Sequence, residues 1–147
     1  MRRALIGLIV AGVVVGATIP APATSREGVV KIRRIRFNPL GADDGSNVSL
    51  NHEVVTIANQ GNTRKDLTGW TLRDSDRHVF LFPSFRLGAG ERVTIHSGSG
   101  QNTARDLYWD AGHYIWDNGD DTATLRNRRG EIIHRCSYSG GGSFVAC

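Results

Sequence analysis

Long apolar runs, lysine and cysteine are all scarce in this chain of 147 residues, and each scarcity narrows what it can be. Only the stretch from Ala4 to Ile19 is uncharged and mostly apolar, and it falls short of the roughly 20 residues that span a bilayer. Arg2 and Arg3 precede it and Ala21-Pro22-Ala23 follows, the layout of a secretory signal peptide over residues 1–23, cleaved after Ala23. An uncleaved anchor is the alternative. No later segment is long and apolar enough to cross a membrane. The processed chain, residues 24–147, is therefore expected to be soluble, secreted or held at the cell envelope, with no stable membrane insertion once the leader is gone. Its length is that of one domain.

Lysine occurs only at Lys31 and Lys65, whereas arginine is abundant. That usage reads as a GC-rich coding genome, most simply a bacterial one. In such an export the glycosylation sequon Asn47-Val48-Ser49 reads as an unused turn. Losing Arg2 and Arg3 with the leader leaves sixteen basic against fourteen acidic residues, a formal charge of +2, so net charge alone gives little support to nucleic-acid binding. The only cysteines are Cys136 and Cys147. Outside the cytoplasm an even count favours a disulfide, here tying the last strand to the terminus. A loop of this size contributes about 2–3 kcal/mol. Free thiols, or a metal pair lacking further ligands of suitable spacing, are the competing readings.

Catalytic patterns are missing as well. None of His52, His78, His96, His113 and His134 has the i, i+4 spacing of a zinc-binding helix, and His52-Glu53 lacks the second histidine of a metalloprotease motif. No serine sits in a Gly-x-Ser-x-Gly elbow. The expectation is a protein without catalytic activity and without a cofactor.

What the chain does have is a succession of short strands and polar turns, with no convincing helix and no internal repeat. Strands are expected over Val29–Phe37, Glu53–Ala58, Gly69–Arg73, His78–Phe82, Glu91–His96, Thr122–Arg126 and Glu131–Cys136, separated by Gly, Asp and Asn turns. The first is rich in β-branched residues, but adjacent Arg33 and Arg34 spoil its alternation. Trp70 and Leu72 fall on one face and are expected in the core. Residues 98–112, carrying Leu107, Tyr108 and Trp109, are the least regular and read as a surface loop with an aromatic tip. Such spacing belongs to an all-β sandwich.

The order of particular residues goes further. Ile35, Phe37, Asn38, Pro39, Gly41 and Asp43 are followed by Asn51, Glu53, Val55, Ile57 and Asn59. Leu67, Gly69, Trp70, Leu72 and Asp74 come next, then Phe82, Leu87 and Gly90, and finally Trp116, Asn118, Gly119, Asp120, Leu125 and Gly130. This series resembles the lamin-tail domain, a family with an immunoglobulin-like β-sandwich fold. Two departures stand out: His52 precedes Glu53 where an asparagine-glycine pair is usual, and Asp121 adds a second carboxylate. The resemblance implies a stand-alone, non-catalytic binding or tethering module of the exported bacterial type, whose matching positions are structural.

Three sets of residues are candidates for contact. Lys31, Arg33, Arg34 and Arg36, with Arg126, Arg128 and Arg129, would suit nucleic acid or an acidic cell-wall polymer; the plainer reading is a solvated edge strand. Tyr108 and Trp109 would suit an extracellular protein partner or envelope polymer. Asp43 and Asp44 in one loop, with Asp120 and Asp121 in another, offer hard oxygens to calcium, although neither loop has the EF-hand spacing. The plainer reading is that these carboxylates cap turns.

Overall fold

The computed structural model describes residues 29–147, so the leader expected over residues 1–23 lies outside the described residues. Among those residues no helix is long and apolar enough to cross a membrane. Two sheets face each other across a shared core. The first has five strands: β1 (Val30–Arg36), β2 (Val54–Asn59), β7 (Arg92–His96), β8 (Asp106–Tyr108) and β11 (Phe144–Ala146), in the order β11-β1-β2-β7-β8. The second has four: β4 (Thr71–Arg73), β5 (Val79–Leu81), β9 (Asp120–Arg126) and β10 (Ile132–Ser139), in the order β10-β9-β4-β5. A two-stranded ribbon of β3 (Lys65–Asp66) and β6 (Arg86–Leu87) lies at one end.

The core follows from alternation. Side chains along a strand point to opposite faces in turn, and register aligns Ile35, Val55, Ile95 and Leu107 in one inward row across the five-stranded sheet. Ile32, Ile57 and Val93 form the next. Leu72, Phe80, Ala123, Leu125, Cys136 and Tyr138 answer from the other sheet. The adjacent Arg33 and Arg34 are accommodated by a β-bulge: Ile32 faces Ile57 while Arg34 faces Thr56, so Arg33 is the extra residue. The bulge resets the alternation, and both Ile32 and Ile35 stay buried.

Several expectations change. A short helix, α1 (Asn47–His52), forms although no helix was expected. Its N-cap Ser46 accepts the Ser49 N–H at 3.2 Å, and Leu50 anchors it in the interior. Residues 106–108 are not a loop but β8, parallel to β7, with Leu107 buried. Their single inward residue left no periodicity to read. Trp70 is half-buried and lies just before β4, packed against the core rather than within it. The core tryptophan is Trp116, 2% exposed. Gly69 just before Trp70 has φ +74°, and the aliphatic stem of Arg128 lies 3.2 Å from where a Cβ would stand; a side chain there meets both backbone strain and a neighbour.

Two buried polar residues tie the ends of strands together. Asn59, at the end of β2, donates from Nδ2 to the carbonyls of Thr63, Leu87 and Gly88 and accepts the Gly61 N–H. Glu53, between α1 and β2, has no exposed surface. Its Oε1 accepts the Ser97 hydroxyl at 2.5 Å and the Ile115 N–H at 2.8 Å. Burial pushes its pKa from 4.5 up to about 7, against the pull of these hydrogen bonds. The Cys136–Cys147 disulfide joins β10 of one sheet to the residue after β11 of the other.

Two outcomes follow from these links. Because the native state holds the Glu53 proton more tightly than the unfolded chain does, the associated stability is present below pH 4.5 and is lost as pH rises to about 7. The full effect is roughly 3 kcal/mol; urea titrations across that range should show the decline in wild type and a flatter profile in Glu53→Gln. Replacing Cys136 and Cys147 together by Ser should lower stability by about 2–3 kcal/mol. An unchanged urea midpoint would mean that the cross-link constrains nothing in the unfolded chain.

Candidate interaction surface

The outer face of the five-stranded sheet carries the side chains that alternate with the core. One row reads Phe144, Arg36, Val54, His96 and Tyr108, and the next Ala146, Arg34, Thr56, Thr94 and Asp106. Lys31, Ala58 and Arg92 form a third. Short Thr and Val side chains in the middle of long flanking ones leave a groove of about 330 Å³, lined by Arg34, Arg36, His52, Thr56, His96 and Asp106 among others. Beside it, Arg34 and Arg36 also border a groove of about 290 Å³ that reaches Leu40 and Phe144. The Arg34 guanidinium lies 4.0 Å from the centre of the Phe144 ring, a cation–π contact that holds it in place while leaving its charge available. Among the described residues no carboxylate forms an ion pair with Arg34 or Arg36.

His96 closes the far end of this face. Its Nδ1 faces the Asn51 carbonyl and its Nε2 faces Asp106 Oδ1, both at 2.9 Å. Tyr108 stacks on the ring with centroids 4.8 Å apart. Trp109, by contrast, turns inward against Phe80 and Trp116. The expected aromatic pair is therefore divided, with Tyr108 on the sheet face and Trp109 packed on the core.

The arginines divide too. Lys31, Arg34 and Arg36 share the outer face of the five-stranded sheet, with Arg33 exposed at the bulge. Arg126 projects from the outer face of the other sheet and donates to the Gly130 carbonyl at 2.8 Å. Arg129 pairs with Glu131 at 3.4 Å, and Arg128 lies over Gly69. The two groups do not form one track. Arg92 joins the first group through strand pairing, as do His52 and Phe144 through the grooves. The sequence signalled Arg92 only through its alternation with Val93 and Ile95, and gave no signal for Phe144, whose strand has three residues.

The acidic loops do meet, since Asn118 Nδ2 donates to Asp43 Oδ2 at 3.3 Å. Asp44 accepts the Ser46 N–H, and these Ser46 hydrogen bonds hold its carboxyl below the ordinary value. Asp121 is buried and accepts the N–H groups of Ser75 and Thr122 through Oδ1. Asp120 is exposed. Among the described residues no three His, Cys, Asp or Glu side chains are grouped so as to hold a metal ion.

The comparisons agree with this architecture. No curated protein matches the chain. The sequence model of the lamin tail domain matches residues 23–140, a span that takes in both sheets up to the end of β10. That family consists of non-enzymatic immunoglobulin-like domains, and the two-sheet sandwich is this fold. The chain belongs to the lamin tail domain family.

Proposed function

We propose that this protein is an exported, non-catalytic interaction module that binds an anionic polymer of the cell envelope or its surroundings through the outer face of the five-stranded sheet. Family membership supports an interaction role, and the leader-like residues 1–23 together with the disulfide support export. The observation that carries the surface assignment is the register itself. It sets Lys31, Arg34, Arg36 and Arg92 side by side on one solvent-facing sheet, with small threonines between them that let a polymer chain approach. Guanidinium groups recognise phosphate through paired, directional N–H donors, and the half-exposed Phe144 ring beside Arg34 offers flat apolar contact at one end. With a formal charge of only +2 after loss of the leader, attraction comes from this one face rather than from the whole molecule.

Salt is the discriminating variable. Each phosphate neutralised by a guanidinium releases counterions, so affinity for duplex DNA or a teichoic-acid-like polymer should fall steeply between low and physiological salt. Replacing Arg34 and Arg36 by Gln should reduce the slope of log affinity against log salt by about 0.9 per lost phosphate contact; both side chains are half-buried and Arg34 rests on Phe144, so a modest loss of stability, about 0.5–1 kcal/mol for the cation–π contact, should accompany it. Titrations followed by fluorescence anisotropy give both quantities. Wild type that binds neither polymer at low salt would eliminate the polyanion reading.

A further inference from the structure

A second feature lies away from the basic face, where the turn between β4 and β5 meets the loop before Trp116. Asp74, whose side chain is 1% exposed, accepts the His78 backbone N–H through Oδ1 at 2.7 Å and the His78 ring Nδ1–H through Oδ2. A carboxylate can only accept here, so the ring proton of neutral His78 sits on Nδ1 and the lone pair on Nε2. The Asp74 hydrogen bond also raises the pKa of the ring, so an ion at Nε2 would take the place of a proton; that nitrogen does not point into empty solvent. It faces Nε2 of His113 across 3.3 Å, with ring centroids 5.0 Å apart and planes tilted by 55°.

We propose that His78 and His113 form a binding site for a divalent transition-metal ion that favours imidazole, zinc or copper(II), held by the two Nε2 atoms and completed by water. Two nitrogens each about 2.0–2.1 Å from a tetrahedral zinc are about 3.3 Å apart, so the pair already has the spacing of two ligands on one ion. Without an ion the two nitrogens share a long hydrogen bond at 3.3 Å, which a bound ion would replace. Asp74 supplies what metal-bound histidines ordinarily have, a carboxylate on the far ring nitrogen that fixes tautomer and orientation and strengthens the donor. His113 is exposed and its side chain makes no other hydrogen bond among the described residues, so it can turn to present Nε2 to an ion. The surroundings are negative: Asp74, Asp76 and Asp121 all act electrostatically on His78, and Asp117 and Asp120 belong to the same group. Such a field concentrates dications and repels the polyanions attracted to the opposite charge elsewhere. With only two protein ligands, the open positions remain available to water or to a donor from another molecule.

The site is independent of the basic face and can be tested without knowing any partner. Zinc or copper(II) chloride is titrated into the untagged protein by calorimetry, with NMR of the imidazole nitrogens for zinc and EPR for copper. The expected result is one stoichiometric equivalent, with nitrogen signals of His78 and His113 shifted by zinc and nitrogen coupling seen on copper. His113→Ala, in an exposed loop where folding is unaffected, should abolish stoichiometric binding, whereas His52→Ala on the basic face should leave it intact. Absence of stoichiometric binding in wild type, or His113→Ala binding as wild type does, would overturn the proposal.

Discussion

Glu53 is the interaction on which the sandwich depends. It stands where the chain leaves α1 and enters β2, and its one carboxyl oxygen gathers Ser97 at the end of β7 and Ile115 beside the core Trp116. Its backbone carbonyl takes the Ser97 N–H as well. Three segments far apart in sequence are thus held by a residue with no exposed surface. A polar group buried without hydrogen bonds is expensive, so Glu53 specifies these partners by what it would lose without them. Burial raises the carboxyl's pKa to about 7, so the interior avoids the cost of a full charge only below neutral pH.

Most of the sandwich was legible because alternation and burial are the same fact seen twice. Val55 and Ile57, Val93 and Ile95, Ala123 and Leu125 announce two-residue periods, and these are the inward positions. The chain was harder to read wherever the period was too short or was reset. Ribbon strands of two residues, and β8 and β11 of three, display at most one and a half repeats. The helix α1 has six residues of turn-like composition, and only its cap and the burial of Leu50 distinguish it from a loop. Trp70 was misread for another reason. The positive φ of Gly69 places the chain in a turn up to Trp70, so strand periodicity begins one residue later.

The basic surface was legible in composition but not in layout. A cluster of arginines in sequence is not a cluster in space, because strands assign neighbouring residues to opposite sides and hairpins carry others to the second sheet. Lys31, Arg34 and Arg36 stay together only because the bulge at Arg33 absorbs one residue and returns the alternation to the same outer face. Arg126, Arg128 and Arg129 lie in the other sheet and its hairpin, where local acceptors engage Arg126 and Arg129. The histidine pair was invisible for a related reason. His78 and His113 are separated by 35 residues and share no element, so no spacing rule connects them.

Disulfide and surface are linked through the last strand. β11 is the edge of the five-stranded sheet; it covers β1, and Phe144 on it is the ring against which Arg34 rests. A three-residue strand following a glycine-rich turn forms too few ladder bonds to hold itself against fraying. The residue that follows it, Cys147, is anchored twice: its N–H donates to the Arg33 carbonyl at 3.0 Å, and its sulfur is bonded to Cys136 in the opposite sheet. The disulfide therefore does more than join two sheets. By pinning β11 it fills the edge beside Arg33 and Arg34 and keeps the Phe144 ring under a guanidinium. The basic face is that of the disulfide-bonded protein, a state that oxidising compartments favour.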